Sequence, residues 1–203
     1  CSQVVWSTRS NLLAWTCEDR EQRELLVSPA DGGTAAKVVL RVAAPTTFES
    51  VGFTADDSRV LVLRHDVSGK TELVKVTIGT GAGSSTEGQV VAVDEKELEA
   101  PRISHDGRLL AYSTNETGRS EAYVRELRAD GQVGPRIPLV SDGTHLVWAK
   151  TLRNASYELF FRREGGIFSV DFTPGPSAKV SAPQRHRFDP YALDVADWDT
   201  LPD

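Results

Sequence analysis

The stretch "PRISHDGRLLAYSTNETGRSEAYVREL" (Pro101–Leu127) decides the fold. Apolar residues run into "SHDG", resume in "LLAYS", break at "NETGRS" and resume in "EAYVREL". Short apolar runs bounded by Gly, Asp, Asn and Ser read as strand, tight turn, strand, looser turn, strand. In the tight turn Gly107 tolerates a positive φ, and Asp106 can accept a hydrogen bond from its own following backbone.

The pattern recurs. Similar stretches begin at Val4 ("VVWSTRSNLLAWTC"), Ser50 ("SVGFTADDSRVLVLRHD") and His145 ("HLVWAKTLRNASYELFFRRE"). Each has a large apolar residue expected to close a first strand: Trp6, Phe53, Ile103 and Trp148, spaced by 47, 50 and 45 residues. Third strands are expected in "ELLVSPADGG", "TELVKVTIG", "EAYVRELRADG" and "GIFSVDFTPG". Less regular fourth strands follow in "AKVVLRV", "QVVAVDE", "PRIPLV" and "SAKVSA". A fixed period of this length signals an array of repeats, and four antiparallel strands per repeat is the arithmetic of a β-propeller blade. The reading is therefore an all-β propeller array. Its blades span 1–46, 47–97, 98–142 and 143–187, with a partial fifth at 188–203. No stretch reads as a helix; "VDEKELEAPR" is too short and meets Pro101.

Composition narrows the function. The net charge of −6 and the scattered Lys and Arg argue against nucleic acid, which needs a basic surface. No run approaches the roughly 18 apolar residues of a membrane span. A chain that opens on Cys1 and holds no methionine is expected to be a processed protein or an excerpt from a longer one. Cys17 is expected to be a buried small hydrophobe. A disulfide to Cys1 across one hairpin, or lipid attachment at Cys1, are the alternatives.

The repeat in "ISHDGRLLAYSTNETGRSEAYV" resembles the TolB-type, WD-like propeller repeat, in which "SPDG" ends the first strand and "LAY" or "IAF" begins the next. The longer "SDGTHLVWAK…YELFF…REGGIFSV" is similar to the propeller that bacterial serine/threonine kinases and membrane-bound regulators carry outside the membrane. The resemblance implies a periplasmic or cell-surface location and a protein or peptide partner. It also usually implies six or more blades. "DVADWDTLPD" reads as another first strand, so the chain is expected to be part of a larger ring, to share a ring with a second chain, or to pin a smaller closure with its tail.

There is no "GxSxG", "HExxH" or "CxxC". His65, His105, His145 and His186 show no metal-ligand spacing. "GTGAGSSTEG" (79–88) has the look of a phosphate loop but leads into a strand and is read as a hairpin connection. Asp56, Asp57 and Asp66, and again Asp194, Asp197 and Asp199, are read as turn carboxylates because neither set has calcium-loop spacing. Trp6, Trp15, Trp148, Phe160, Phe161 and Phe168 are expected in the core between blades. No catalytic residue, cofactor or metal is assigned. The residues expected in ligand-facing loops are His105, Asp106, His145, Asp56 and Asp57. The expected function is a non-catalytic scaffold that binds a protein, peptide or small ligand. The alternative is the propeller cap of a prolyl-oligopeptidase-type serine peptidase.

Overall fold

A computed structural model describes residues 1–68, 70–78, 89–91, 98–128, 133–153 and 155–187. All the regular elements among them are strands, and no helix there is long and apolar enough to cross a membrane. The residues cluster into two compact units. One holds Cys1–Lys96, Asp106–Arg108 and Arg128–Val133; the other holds Glu97–His105, Leu109–Leu127 and Gly134–Asp203.

The first unit contains two antiparallel sheets. One is β1 (Ser2–Trp6), β2 (Leu12–Glu18), β3 (Gln22–Pro29) and β4 (Lys37–Ala43). The other is β5 (Thr47–Phe53), β6 (Arg59–His65), β7 (Thr71–Thr77) and β8 (Gln89–Val91). In both sheets the spatial order follows the chain order. Ala14, Leu25, Val27, Val39 and Leu40 of the first sheet share one core with Phe48, Phe53, Val60, Val62, Val74 and Val76 of the second. Burial alternates along β3, so one of its faces is covered. Along β6 and β7 it is continuous for four residues, so both faces are covered.

The second unit repeats the plan. β9 (Glu99–Ile103), β10 (Leu109–Thr114), β11 (Glu121–Glu126) and β12 (Ile137–Ser141) form one sheet. β13 (Thr144–Arg153), β14 (Ser156–Arg163), β15 (Gly166–Thr173) and β16 (Lys179–Val180) form the other, where β17 (Gln184–His186) also pairs with β15. The fourth-strand place is shared there: β16 pairs with Phe172 and Thr173, and β17 with Ile167–Ser169. The core is more aromatic, joining Leu109, Ala111, Val124 and Leu146 to Trp148, Tyr157, Phe161 and Phe172. The Trp148 indole Nε1 donates to the Arg102 carbonyl at 3.0 Å and so bonds β13 to β9.

Three sequence expectations need correction. Trp148 does not close its strand, because β13 continues to Arg153 and absorbs extra residues in two irregularities of register. The aromatic set is not uniformly core. Trp148 and Phe161 are buried, Trp15, Phe160 and Phe168 are half-buried, and Trp6 is 59% exposed. Trp6 stands beside Leu13 on the face of the first sheet away from the shared core, and apolar character alone does not provide a covering neighbour. Cys17 is not a free buried hydrophobe: it is bonded to Cys1.

Candidate functional site at the blade ends

The turns between first and second strands are built to one plan in three of the four sheets. Ser7, Thr54 and Ser104 directly follow the first strands. The amide of each donates to the carbonyl five residues on, at Leu12, Arg59 and Leu109. In return the Leu12, Arg59 and Leu109 amides donate to the hydroxyls of Ser7, Thr54 and Ser104 at 3.1, 3.2 and 2.9 Å. The residue three places after each hydroxyl takes a positive φ: Ser10 at 56°, Asp57 at 58° and Gly107 at 71°. The hydroxyl bond is a signal the sequence contained, a Ser or Thr before each turn, but reading the apolar anchors passed over it. In the fourth sheet the turn is tighter: Arg153 pairs directly with Ser156, and Ala155 takes the positive φ of 62°.

The turn carboxylates are engaged within the protein. Asp56 accepts from the Thr54 hydroxyl at 2.7 Å and from the Ser58 amide and hydroxyl. These bonds, the Thr54 one foremost and then those of Ser58, hold its pKa down to about 2. Asp57 reaches the neighbouring turn of the same unit. Its Oδ1 accepts from the Thr8 amide at 2.8 Å and the Thr8 hydroxyl at 2.7 Å, and its Oδ2 from the Arg9 amide at 3.2 Å. Asp66 closes the β6–β7 turn by accepting from the Ser68 amide and hydroxyl and the Lys70 amide. It follows β6, whereas Asp56 and Asp57 precede it, so the three carboxylates stand at opposite ends of one strand. Asp194, Asp197, Asp199 and the 79–88 loop lie outside the described residues.

Gly107 occupies the place of Asp57 with a different device. A Cβ there would lie 2.3 Å from the Ala55 nitrogen and 2.8 Å from the Thr54 carbonyl carbon, so the absent side chain permits backbone against backbone. Asp106 accepts from the Arg108 amide at 3.2 Å, as expected of an Asp before a turn glycine. His105 is exposed just after β9, and His145 is exposed near the start of β13 with φ 53°. Its Nδ1 lies 3.1 Å from the Thr144 hydroxyl. The two histidines stand at different ends of their first strands. Among the described residues no group of three or more His, Cys, Asp or Glu is placed to hold a metal ion.

Of two further arrangements, one was not expected from the sequence and the other only as an alternative. Ser169 Oγ lies 2.8 Å from His186 Nε2, with the Phe160 ring 5.3 Å from the imidazole. A hydroxyl beside an imidazole is the contact that activates nucleophiles. Here Ser169 is 3% exposed in mid-strand, and the bond fastens β17 to β15. The other arrangement is the Cys1–Cys17 disulfide, which borders a cavity of about 180 Å³ lined also by Thr16, Glu18 and Arg23. Arg23 pairs there with Glu18 and donates to the Phe48 carbonyl at 3.2 Å.

No protein-family model matches the sequence, and no curated protein matches it. Solved structures do resemble the fold. TolB from Acinetobacter baumannii superposes with a TM-score of 0.59 at 12% identity over 89% of this chain and 44% of its own. Oligopeptidase B from Trypanosoma brucei with covalently bound antipain gives 0.58 at 13% identity, over 93% of this chain and 28% of its own. A puromycin-hydrolyzing peptidase of Mycobacterium tuberculosis gives 0.54 at 16% identity, over 87% and 28%. The chain thus spans less than half the length of each of these three neighbours. At such identities the likeness concerns fold alone, and with the four antiparallel sheets it gives the chain a TolB-like β-propeller fold.

Proposed function

We propose that the chain is a non-catalytic propeller segment that binds a protein or peptide partner through the turns at its blade ends. The observation that carries this reading is the construction of those turns. Their backbones are fixed by repeated hydroxyl and carboxylate bonds, while Arg9, Ala55, Asp56 and His105 stay exposed at the apices. A pre-set loop with exposed side chains binds without losing conformational freedom at the moment of contact. The resemblance to the propellers of bacterial kinases and membrane-bound regulators makes an extracytoplasmic sensor the favoured setting. The Cys1–Cys17 disulfide supports an oxidising compartment.

Photo-crosslinking tests the reading in the intact protein in its native cell. A photoreactive residue at Arg9, Ala55 or His105 should capture a partner, whereas one at Arg41 or Lys179 on fourth strands should not. Capture from the fourth strands alone would overturn it. A second reading, the propeller part of a serine peptidase, draws support from the oligopeptidase neighbours. It requires a "GxSxG" hydrolase domain in the same polypeptide, and hydrolysis of short peptides that stops when that serine is replaced.

A further inference from the structure

We propose that the Cys1–Cys17 disulfide is a reducible latch that holds the start of β1 against β2. Among the described residues β1 is an edge strand and pairs with β2 alone. Its register is irregular between Ser2 and Val5. Val4 and Trp6 are 60% and 59% exposed, and Val5 packs against the shared core of the first unit. A strand with so little burial opens locally at low cost unless its ends are tied. The far end is tied beyond Trp6, where Asp57 grips Thr8 and Arg9. The near end is tied by the disulfide.

The surroundings of the disulfide suit exchange with a dithiol reductant. Cys1 is exposed, Cys17 is half-buried, and both border the cavity that Arg23 and Glu18 line. One thiolate of the dithiol attacks Cys1 Sγ, forming a mixed disulfide and expelling Cys17 as a thiolate. Arg23, ion-paired with Glu18 in the same cavity, offsets the carboxylate charge that would otherwise disfavour that leaving anion. The second thiolate of the dithiol then attacks its own mixed-disulfide sulfur, expelling Cys1 and leaving the reductant as a cyclic disulfide. The reductant supplies two electrons, and both cysteines end as thiols with the two protons it released. The start of β1 then loses its covalent tie to β2, while the Asp57 grip keeps the Ser7–Asn11 turn in place.

The test is native-state reduction of the intact protein with dithiothreitol, followed by thiol titration and amide hydrogen exchange. Two thiols should appear without loss of far-ultraviolet dichroism. Exchange at Val4–Trp6 should rise about tenfold or more, while Leu61–Leu63 and Leu109–Ala111 stay within about twofold. The Cys1→Ser, Cys17→Ser double variant should reproduce the fast-exchanging state, and Arg23→Gln should slow native-state reduction about fivefold. Thiols that appear only at the rate of global unfolding would show a purely structural cross-link and overturn the proposal. So would unchanged exchange at Val4–Trp6 after reduction, or equal reduction rates with and without Arg23.

Discussion

The two units solve one packing problem with different materials. The first joins its sheets through valine and leucine, with two phenylalanines, and adds point contacts: the Asp57 grip and the Arg23–Phe48 bond. The second joins its sheets through Trp148, Tyr157, Phe161 and Phe172, with Trp148 and Tyr157 edge to face at 5.9 Å. Large rings reach across an interface and supply both area and orientation. Short aliphatic side chains supply area only, and the orientation of the first unit's sheets comes from backbone and carboxylate bonds at their ends.

This contrast can be broken, and the largest effect lies in the second unit. Phe172→Ala removes a fully buried ring from the aromatic core and should cost about 3–5 kcal/mol in chemical denaturation. Gly107→Ala in the β9–β10 turn should be nearly as damaging, at about 3 kcal/mol, because it adds a strained positive φ to a backbone overlap with Ala55. A cost under about 1 kcal/mol there would deny that the backbones need this close approach.

Asp57→Gly sharpens the comparison, since it keeps the freedom of φ and deletes only the carboxylate. It should cost about 2 kcal/mol, with exchange rising at the Thr8 and Arg9 amides. Acid should act on the same unit. Asp56, with its pKa near 2, and Asp19, Asp66 and Glu72, also lowered, all lie in the first unit. A depressed carboxylate contributes stability that is full above its unfolded pKa and lost as pH falls through the folded one. The first unit should therefore loosen between about pH 4 and pH 2 ahead of the second. In the second unit Tyr123 is shifted upward, first by burial. Site-resolved exchange across that range checks the order. The smallest effect is a gain: Ser10→Gly relieves a non-glycine positive φ and should add about 0.5–1 kcal/mol to stability.

The sheets were legible because each strand carries its own alternation and each turn its own Asp, Ser or Gly. The Asp106–Gly107 turn reads directly from three letters. What stayed hidden depends on residues far apart in the chain. Asp57 looks like any turn carboxylate until Thr8, 49 residues earlier, is brought beside it. One local hint existed: Asp57 fills the place where glycine would be easiest, and a residue kept there against strain has a contact to make. Trp6 and Trp148 are equivalent by sequence position, yet one is 59% exposed and the other 6%. Local pattern says which residues are apolar; the neighbouring sheet says which of them are dry.

That last pair has an optical consequence. Trp6 stands in water, while Trp148 is enclosed and bonded through its indole nitrogen. With Trp15 and Trp198 replaced by phenylalanine, red-side emission would report on the first unit and blue-side emission on the second. A single protein would then carry a two-colour gauge of which half yields first to acid, heat or a reductant.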